Sequence, residues 1–219
     1  MAIAFDAATV TTSTTGATHT FSHTCTGTDR FLFVTVEQLN DTTTDKVTGV
    51  TYGGVAMTRL SKINVLTYNW VTYVYYLKNP ASGANNVVVS RTYAAGQTYG
   101  GACSYTGVNQ TTPINANTTG TGINGTMTTS LTSTVDNSWF YIGATNIDAS
   151  FVASTNSTLR GTATSIGCHF DSNGPKTPSG SLSMTQTWTG TRNSVSHMAA
   201  LSPSVASATT NPAFLYNFV

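Results

Sequence analysis

The residues in this chain best suited to hold a metal or activate a nucleophile are four histidines and three cysteines. In His19-Thr-Phe-Ser-His-Thr-Cys25 the alternation puts His19, His23 and Cys25 on one face of a strand. The strand rise separates His19 from His23 by about 13 Å, too far for one ion. His23 and Cys25 are about 6.6 Å apart and can supply two ligands, with Cys168-His169 as a second pair. Ligands on facing strands with an unknown further one describe packed or interface-facing histidines better than a metal centre. Cys25, Cys103 and Cys168 lie far apart with no C-x-x-C, so buried free thiols are expected.

Glycoside hydrolysis needs two carboxyl groups flanking the scissile bond. The chain has a single glutamate, Glu37, and seven aspartates. Asp41, Asp45, Asp136 and Asp171 fall where turn formation explains them. Ala163-Thr-Ser165-Ile-Gly167 is the nearest approach to a nucleophile elbow, but no helix follows it. Asp171-Ser-Asn-Gly174 opens like a calcium loop without the acids that complete one. No phosphate-binding glycine motif occurs. The sequence therefore predicts no enzyme, no cofactor and no metal. A sugar-binding alternative would need an exposed aromatic platform, for which Tyr68, Trp139 and Trp188 are the candidates.

The elements that must position these residues are strands. Thr accounts for about a fifth of the 219 residues, and Val, Tyr and Gly are abundant, while the helix-forming charged residues are scarce. Strand patterns run over 19–25, 31–36, 47–52, 55–60, 70–77, 86–90, 100–105, 126–135, 139–144, 165–170, 181–188, 195–201 and 214–218. Gly53-Gly54 marks a two-residue hairpin, and Leu182, Met184 and Gln186 share one face of the 181–188 strand. The expected architecture is an all-β, single-domain antiparallel β-sandwich of jelly-roll type, with about ten to twelve strands and no significant helix. Residues 1–18 read as an extended N-terminal arm and 19–219 as the folded domain, because no repeat period and no linker between two cores is visible. Residues 107–125 and 171–180 read as long loops.

Charge supplies the functional lead. Only 8% of residues are charged and the formal net charge is +1, which gives no broad attraction to nucleic acid or acidic lipid. No segment approaches the roughly 18 apolar residues of a membrane-spanning helix. From Thr92 to Val135 there is not one charged side chain. A surface of hydroxyls and amides can bond a partner protein without burying ions. Thr11, Thr14, Thr15, Asn109, Thr111, Thr112, Asn115, Asn117, Thr118 and Thr119 are the candidate interface residues.

Three stretches carry a resemblance: Val47-Thr-Gly-Val-Thr-Tyr-Gly-Gly-Val-Ala-Met-Thr-Arg59, Tyr75-Tyr-Leu-Lys-Asn-Pro-Ala-Ser-Gly-Ala-Asn-Asn-Val-Val-Val89 and Ser104-Tyr-Thr-Gly-Val-Asn-Gln-Thr-Thr-Pro-Ile114. Over about residues 30–115 the chain resembles a β-sandwich module of tailed-phage structural proteins and some bacterial surface proteins. The resemblance implies a virion component without catalytic residues, most like a capsid decoration (cement) protein. It further implies a homotrimer whose partner is the major capsid protein or another virion protein. A tail or fibre protein is the next expectation. With no signal-peptide pattern at the N-terminus, the expected location is the virion, assembled in a host cytoplasm.

Overall fold

A computed structural model describes residues 1–39, 45–65, 70–92, 94–146, 150–162 and 168–205. Among these, seventeen strands occur and no helix, and every strand pairing is antiparallel. The first half of the chain supplies β1 (Ala4–Val10), β2 (Thr18–Cys25), β3 (Phe31–Leu39), β4 (Val47–Tyr52), β5 (Val55–Ala56), β6 (Thr58–Val65), β7 (Trp70–Lys78), β8 (Gly83–Arg91) and β9 (Thr98–Thr106). The second supplies β10 (Ile114–Gly122), β11 (Thr126–Thr132), β12 (Trp139–Asn146), β13 (Val152–Ala153), β14 (Thr158–Thr162), β15 (Cys168–Asp171), β16 (Ser181–Thr187) and β17 (Ser194–Leu201).

Each half makes two sheets that face one another. In the first half the orders are β1-β9-β3-β7-β6 and β2-β8-β4-β5; in the second they are β10-β17-β12-β15-β14 and β11-β16-β13. The pairing is nested in both: first strand with last, second with next to last, third with seventh or its counterpart. Leu32, Val34, Val71, Tyr73, Tyr52, Val87 and their neighbours fill the first sheet pair. Phe140, Ile142, Phe170, Met198, Met127, Met184 and Trp188 fill the second. A third cluster, with Phe31, Phe33, Tyr105, Trp139, Tyr141 and Leu201, joins the two five-stranded sheets back to back. The sequence of layers is thus outer sheet, inner sheet, inner sheet, outer sheet.

The two halves repeat one topology. Thr18 and Thr126 open β2 and β11, and Phe33 and Tyr141 lie in β3 and β12, both 108 positions apart. Asp29 and Asn137, also 108 apart, occupy the turns before β3 and β12 with φ of 50° and 60°. Asp6 and Asn115 sit in the bulges of β1 and β10; they accept bonds from Thr26 N (2.8 Å) and Thr134 N (3.1 Å), again counterparts. After β4–β6 the offset shortens: Ser90 corresponds to Thr187 and Tyr105 to Leu201. An unequal insertion of that kind erases any fixed sequence period.

The halves also meet across the middle. β1 lies against β14, β9 against β15 and β6 against β17, so the halves are related by an approximate two-fold along β3 and β12. The Phe33 and Tyr141 rings stack at 4.0 Å. Thr35 shares a 2.8 Å hydrogen bond with Tyr141 and lies opposite Gly143. A Cβ at Gly143 would lie 2.6 Å from Thr35 Oγ1 and 2.9 Å from Tyr141 OH. Gly143→Ala is expected to cost about 2 kcal/mol in denaturant unfolding through overpacking, with Thr35→Ala restoring only part of the loss because the Tyr141 contact remains. A change below about 0.5 kcal/mol, typical of an unconstrained surface site, would mean that the sheets are not this closely apposed.

Seventeen strands exceed the expected ten to twelve. The expected loop 107–125 contains β10, residues 4–10 of the expected arm form β1, and the 55–60 pattern divides into β5 and β6. β1 and β10 are sheet edges whose small side chains give no strong alternation; their backbones, paired along β9 and β17, define them. The expected 214–218 strand lies outside the described residues.

Candidate functional site

The residues first considered for chemistry are built into the interior. Glu37 is fully buried between the inner sheets; its Oε1 accepts a 3.0 Å bond from Thr145 Oγ1, and Oε2 has no partner. Burial drives its carboxyl up to about 8. His23 lies between Thr9 Oγ1 (2.9 Å) and Ser104 Oγ (3.0 Å), and His19 bonds Thr11 Oγ1 at 2.7 Å. Cys168 faces the second core whereas His169, one residue on, points to the inner seam and bonds Tyr141 OH at 2.8 Å. Neighbours on a strand point to opposite faces, so this pair cannot converge on one ion. Among the described residues no group of three or more His, Cys, Asp or Glu could hold a metal. All three cysteines are buried and none is in a disulfide.

The 171–180 segment is also committed to structure. Asp171 is buried, accepts from Tyr105 OH (3.2 Å) and Asn173 N (2.8 Å), and forms an ion pair with Arg160 at 2.8 Å. Trp139 and Trp188 are buried, so neither is an exposed platform; Tyr68 and Asp41 lie outside the described residues.

What reaches the surface is hydroxyl. On the outward side of the second outer sheet, β11 presents Thr126, Thr128, Ser130 and Thr132, all exposed. Opposite them in register β16 presents Thr187, Thr185, Ser183 and Ser181. Every outward position of the two strands is Ser or Thr. Thr128 and Thr185 share a 2.9 Å hydroxyl bond, and Ser130 and Ser183 a 2.7 Å one. The spacing follows from pleat geometry, about 6.8 Å along a strand and about 5 Å across. Met127, Thr129 and Leu131 point inward, buried, and the alternation fixes the face because a one-residue slip would invert it. The exposed Val152 lies beside Thr187 at the edge of this array. β2 repeats the column in the first half, with Thr18, Thr20, Ser22 and Thr24 exposed.

The ten sequence-predicted interface residues divide into two regions. Thr14 pairs with Thr98 and Thr11 N bonds Gly100 O, at the start of β9; Asn109 follows its end. The length of β9 puts these groups about 27 Å apart. Thr11 bonds His19 and Gly100 O. Asn109 Oδ1 caps Thr111 N and Thr112 N, and Asn115 bonds Ser138, Ser202 and Thr134. Thr15, Thr111, Thr112, Asn117 and Thr119 are exposed, Thr14 and Thr118 half-buried. Neither strand of the hydroxyl array was among the ten; the signal of β16 is the S-x-S-x-T-x-T alternation of 181–187, and β11 lies in the charge-free span 92–135.

No family model, curated protein or solved structure matches the chain.

Proposed function

We propose that this protein is a non-enzymatic structural protein that binds an assembled protein shell and stabilises it, as a capsid decoration protein of a tailed phage does. The single observation that carries this reading is the uncharged, fully hydroxylated face of β11 and β16, of which β11 is continuous in sequence with the charge-free β9–β10 segment. Such a face hydrogen-bonds a partner at many points and desolvates no ion. The nested strand orders support reading each half as a jelly roll, since that fold winds its first strand beside its last in two four-stranded layers. Preferential binding to assembled shell would stabilise it by mass action. The partner in this reading is the major capsid protein and the location is the virion.

The test is to heat purified shells with and without the protein. The expected result is a higher rupture temperature with the protein, and loss of both co-sedimentation and protection when Thr128→Lys and Thr185→Lys are introduced together. Both positions are outward, so the core is untouched, but the two cations face each other across the strands; the melting temperature of the variant is therefore measured alongside, and protection is compared below it. Equal rupture temperatures with and without wild-type protein would remove the reading.

A further inference from the structure

We propose that the open side of the first sheet pair, between β4 and β6, is a binding cleft for an amphipathic carboxylate, a small molecule with an apolar body and one anionic head. The proposal stands apart from the shell-binding reading and does not depend on it.

The cleft has a volume of about 720 Å³. Small-molecule pockets span about 300–1,000 Å³ and are mostly apolar, with a few convergent polar groups. The opening follows from the strand pairing. β5 pairs only with Thr51 and Tyr52, so among the described residues the Val47–Val50 part of β4 has no further strand beside it. Val47, Val50, Met57 and Tyr75 line the cleft and are themselves members of the first core. The floor is therefore the core itself, and Met57 is an unbranched side chain that adapts to an inserted apolar body.

The head group is met by β6. Arg59 and Lys62 are three positions apart, and in a regular strand such residues face opposite sides. A bulge at Leu60 changes this: Arg59 lies opposite Tyr75 and Lys62 opposite Tyr73, and both tyrosines belong to the first core. Bulges re-aim side chains in this way, often beside functional sites. Both cations thus stand on the core side of β6, and Asp45 bonds both. Two cations against one carboxylate leave this rim with one positive charge in excess. A guanidinium has five donors and an ammonium three, enough to hold Asp45 and a second carboxylate together. The excess of one charge matches a monoanion, and the apolar floor calls for more than a bare ion. The crevice at Asn64, Gly122 and Ser194 has about 200 Å³ and no charged lining. Those beside Met1 adjoin Ser204, at the limit of the described residues.

The test is to titrate hexanoate into the full chain, by calorimetry and by the Met57 methyl resonance. Binding is expected to saturate at one site with a dissociation constant of about 1 mM. 1-Hexanol has the body without the charge and acetate the charge without the body; each is expected to bind about tenfold more weakly. Arg59→Gln with Lys62→Gln should reduce hexanoate to the affinity of hexanol. Ala56→Phe, at an exposed position lining the cleft, fills it and should weaken both ligands. The melting temperature of each variant is measured alongside, and the comparison of the three ligands on wild type needs no variant. No saturable binding of hexanoate, a Met57 methyl that does not shift, or hexanol or acetate equal to hexanoate would overturn the proposal. So would affinity indifferent to both substitutions. Shell protection is read separately: its failure removes the decoration reading and leaves the cleft as it is.

Discussion

Lowering the pH from 6.5 to 4.5 is expected to remove most of the stability of this protein, with a net uptake of about three protons on unfolding. All four histidines are buried, and desolvation holds each in its neutral form: His19, His23 and His197 are lowered to about 4 and His169 to about 3. Arg91 adds repulsion at His19, and the carboxylate of Asp6 partly offsets the shift at His23. A histidine whose folded pKa is depressed contributes stability that is complete above its unfolded value of 6.5 and is lost as pH falls toward the folded one. Each pKa unit corresponds to about 1.4 kcal/mol. Between pH 6.5 and 4.5 His23, His169 and His197 together forfeit about 6 kcal/mol, comparable with the whole stability of an ordinary domain. Glu37 works in the opposite sense over this range and returns one proton, which reduces four to three.

The measurement is denaturant unfolding at intervals between pH 4.5 and 7.5, with the histidine Cε1–H resonances followed in the native state. Native resonances that titrate near 6.5, or a stability flat across this range, would show that the rings are open to solvent. Replacing His197 with Gln should lower the slope by about one proton. Its Nδ1 bonds Ser61 while Nε2 has no partner, so an uncharged side chain meets the same requirement without binding a proton.

These histidines show what the sequence disclosed and what it withheld. The alternation in 19–25 placed His19 and His23 on one buried face, and β2 has that pattern: His19, His23 and Cys25 are buried and Thr18, Thr20, Ser22 and Thr24 are exposed. Similarly legible were β3, β7, β12 and β17, whose runs of apolar and aromatic residues are buried on both sides because inner strands touch a sheet on each face. The edge strands were not legible. β10 is defined by eight residue pairings with β17, and backbone pairing leaves little mark on side-chain type. The doubling of the fold was hidden for a related reason: what the halves share is a pattern of inward and outward positions, and β4–β6 has no equal in the second half. Of the candidate site, the missing charge in 92–135 was plain in the composition. Its partner column on β16 lies some fifty residues further on, and only the register of β11 with β16 brings the two together.

Glu37→Gln is expected to stabilise the protein, by an amount that grows with pH. The side chain lies in the seam between the halves, with Thr72 Oγ1 donating to Thr145 Oγ1 at 2.9 Å and Thr145 donating in turn to Glu37 Oε1. Burial raises the carboxyl to about 8, and the Thr145 bond recovers only part of that shift. A carboxyl raised in this way keeps its proton in the folded state at neutral pH, whereas the unfolded chain loses it above about 4.3. The stability this group allows is therefore full below pH 4.3 and is lost as pH rises to about 8. Glutamine is neutral in both states and still accepts from Thr145. The variant should match wild type at pH 4 and exceed it by about 4 kcal/mol at pH 8, which for a chain of this size raises the melting temperature by roughly 10 °C. A penalty equal at both pH values would mean that Glu37 is ionised and specifically paired in the native state. The counterpart of Glu37 across the approximate two-fold is Thr145, its own hydrogen-bond donor, just as Thr35 meets the bare backbone of Gly143. In a dimer of identical halves the same axis would set glutamate against glutamate, two carboxyls in an apolar seam. A single chain carrying both halves lets one side donate and the other accept, and the pH dependence of Glu37→Gln measures how far that division leaves the acid uncompensated.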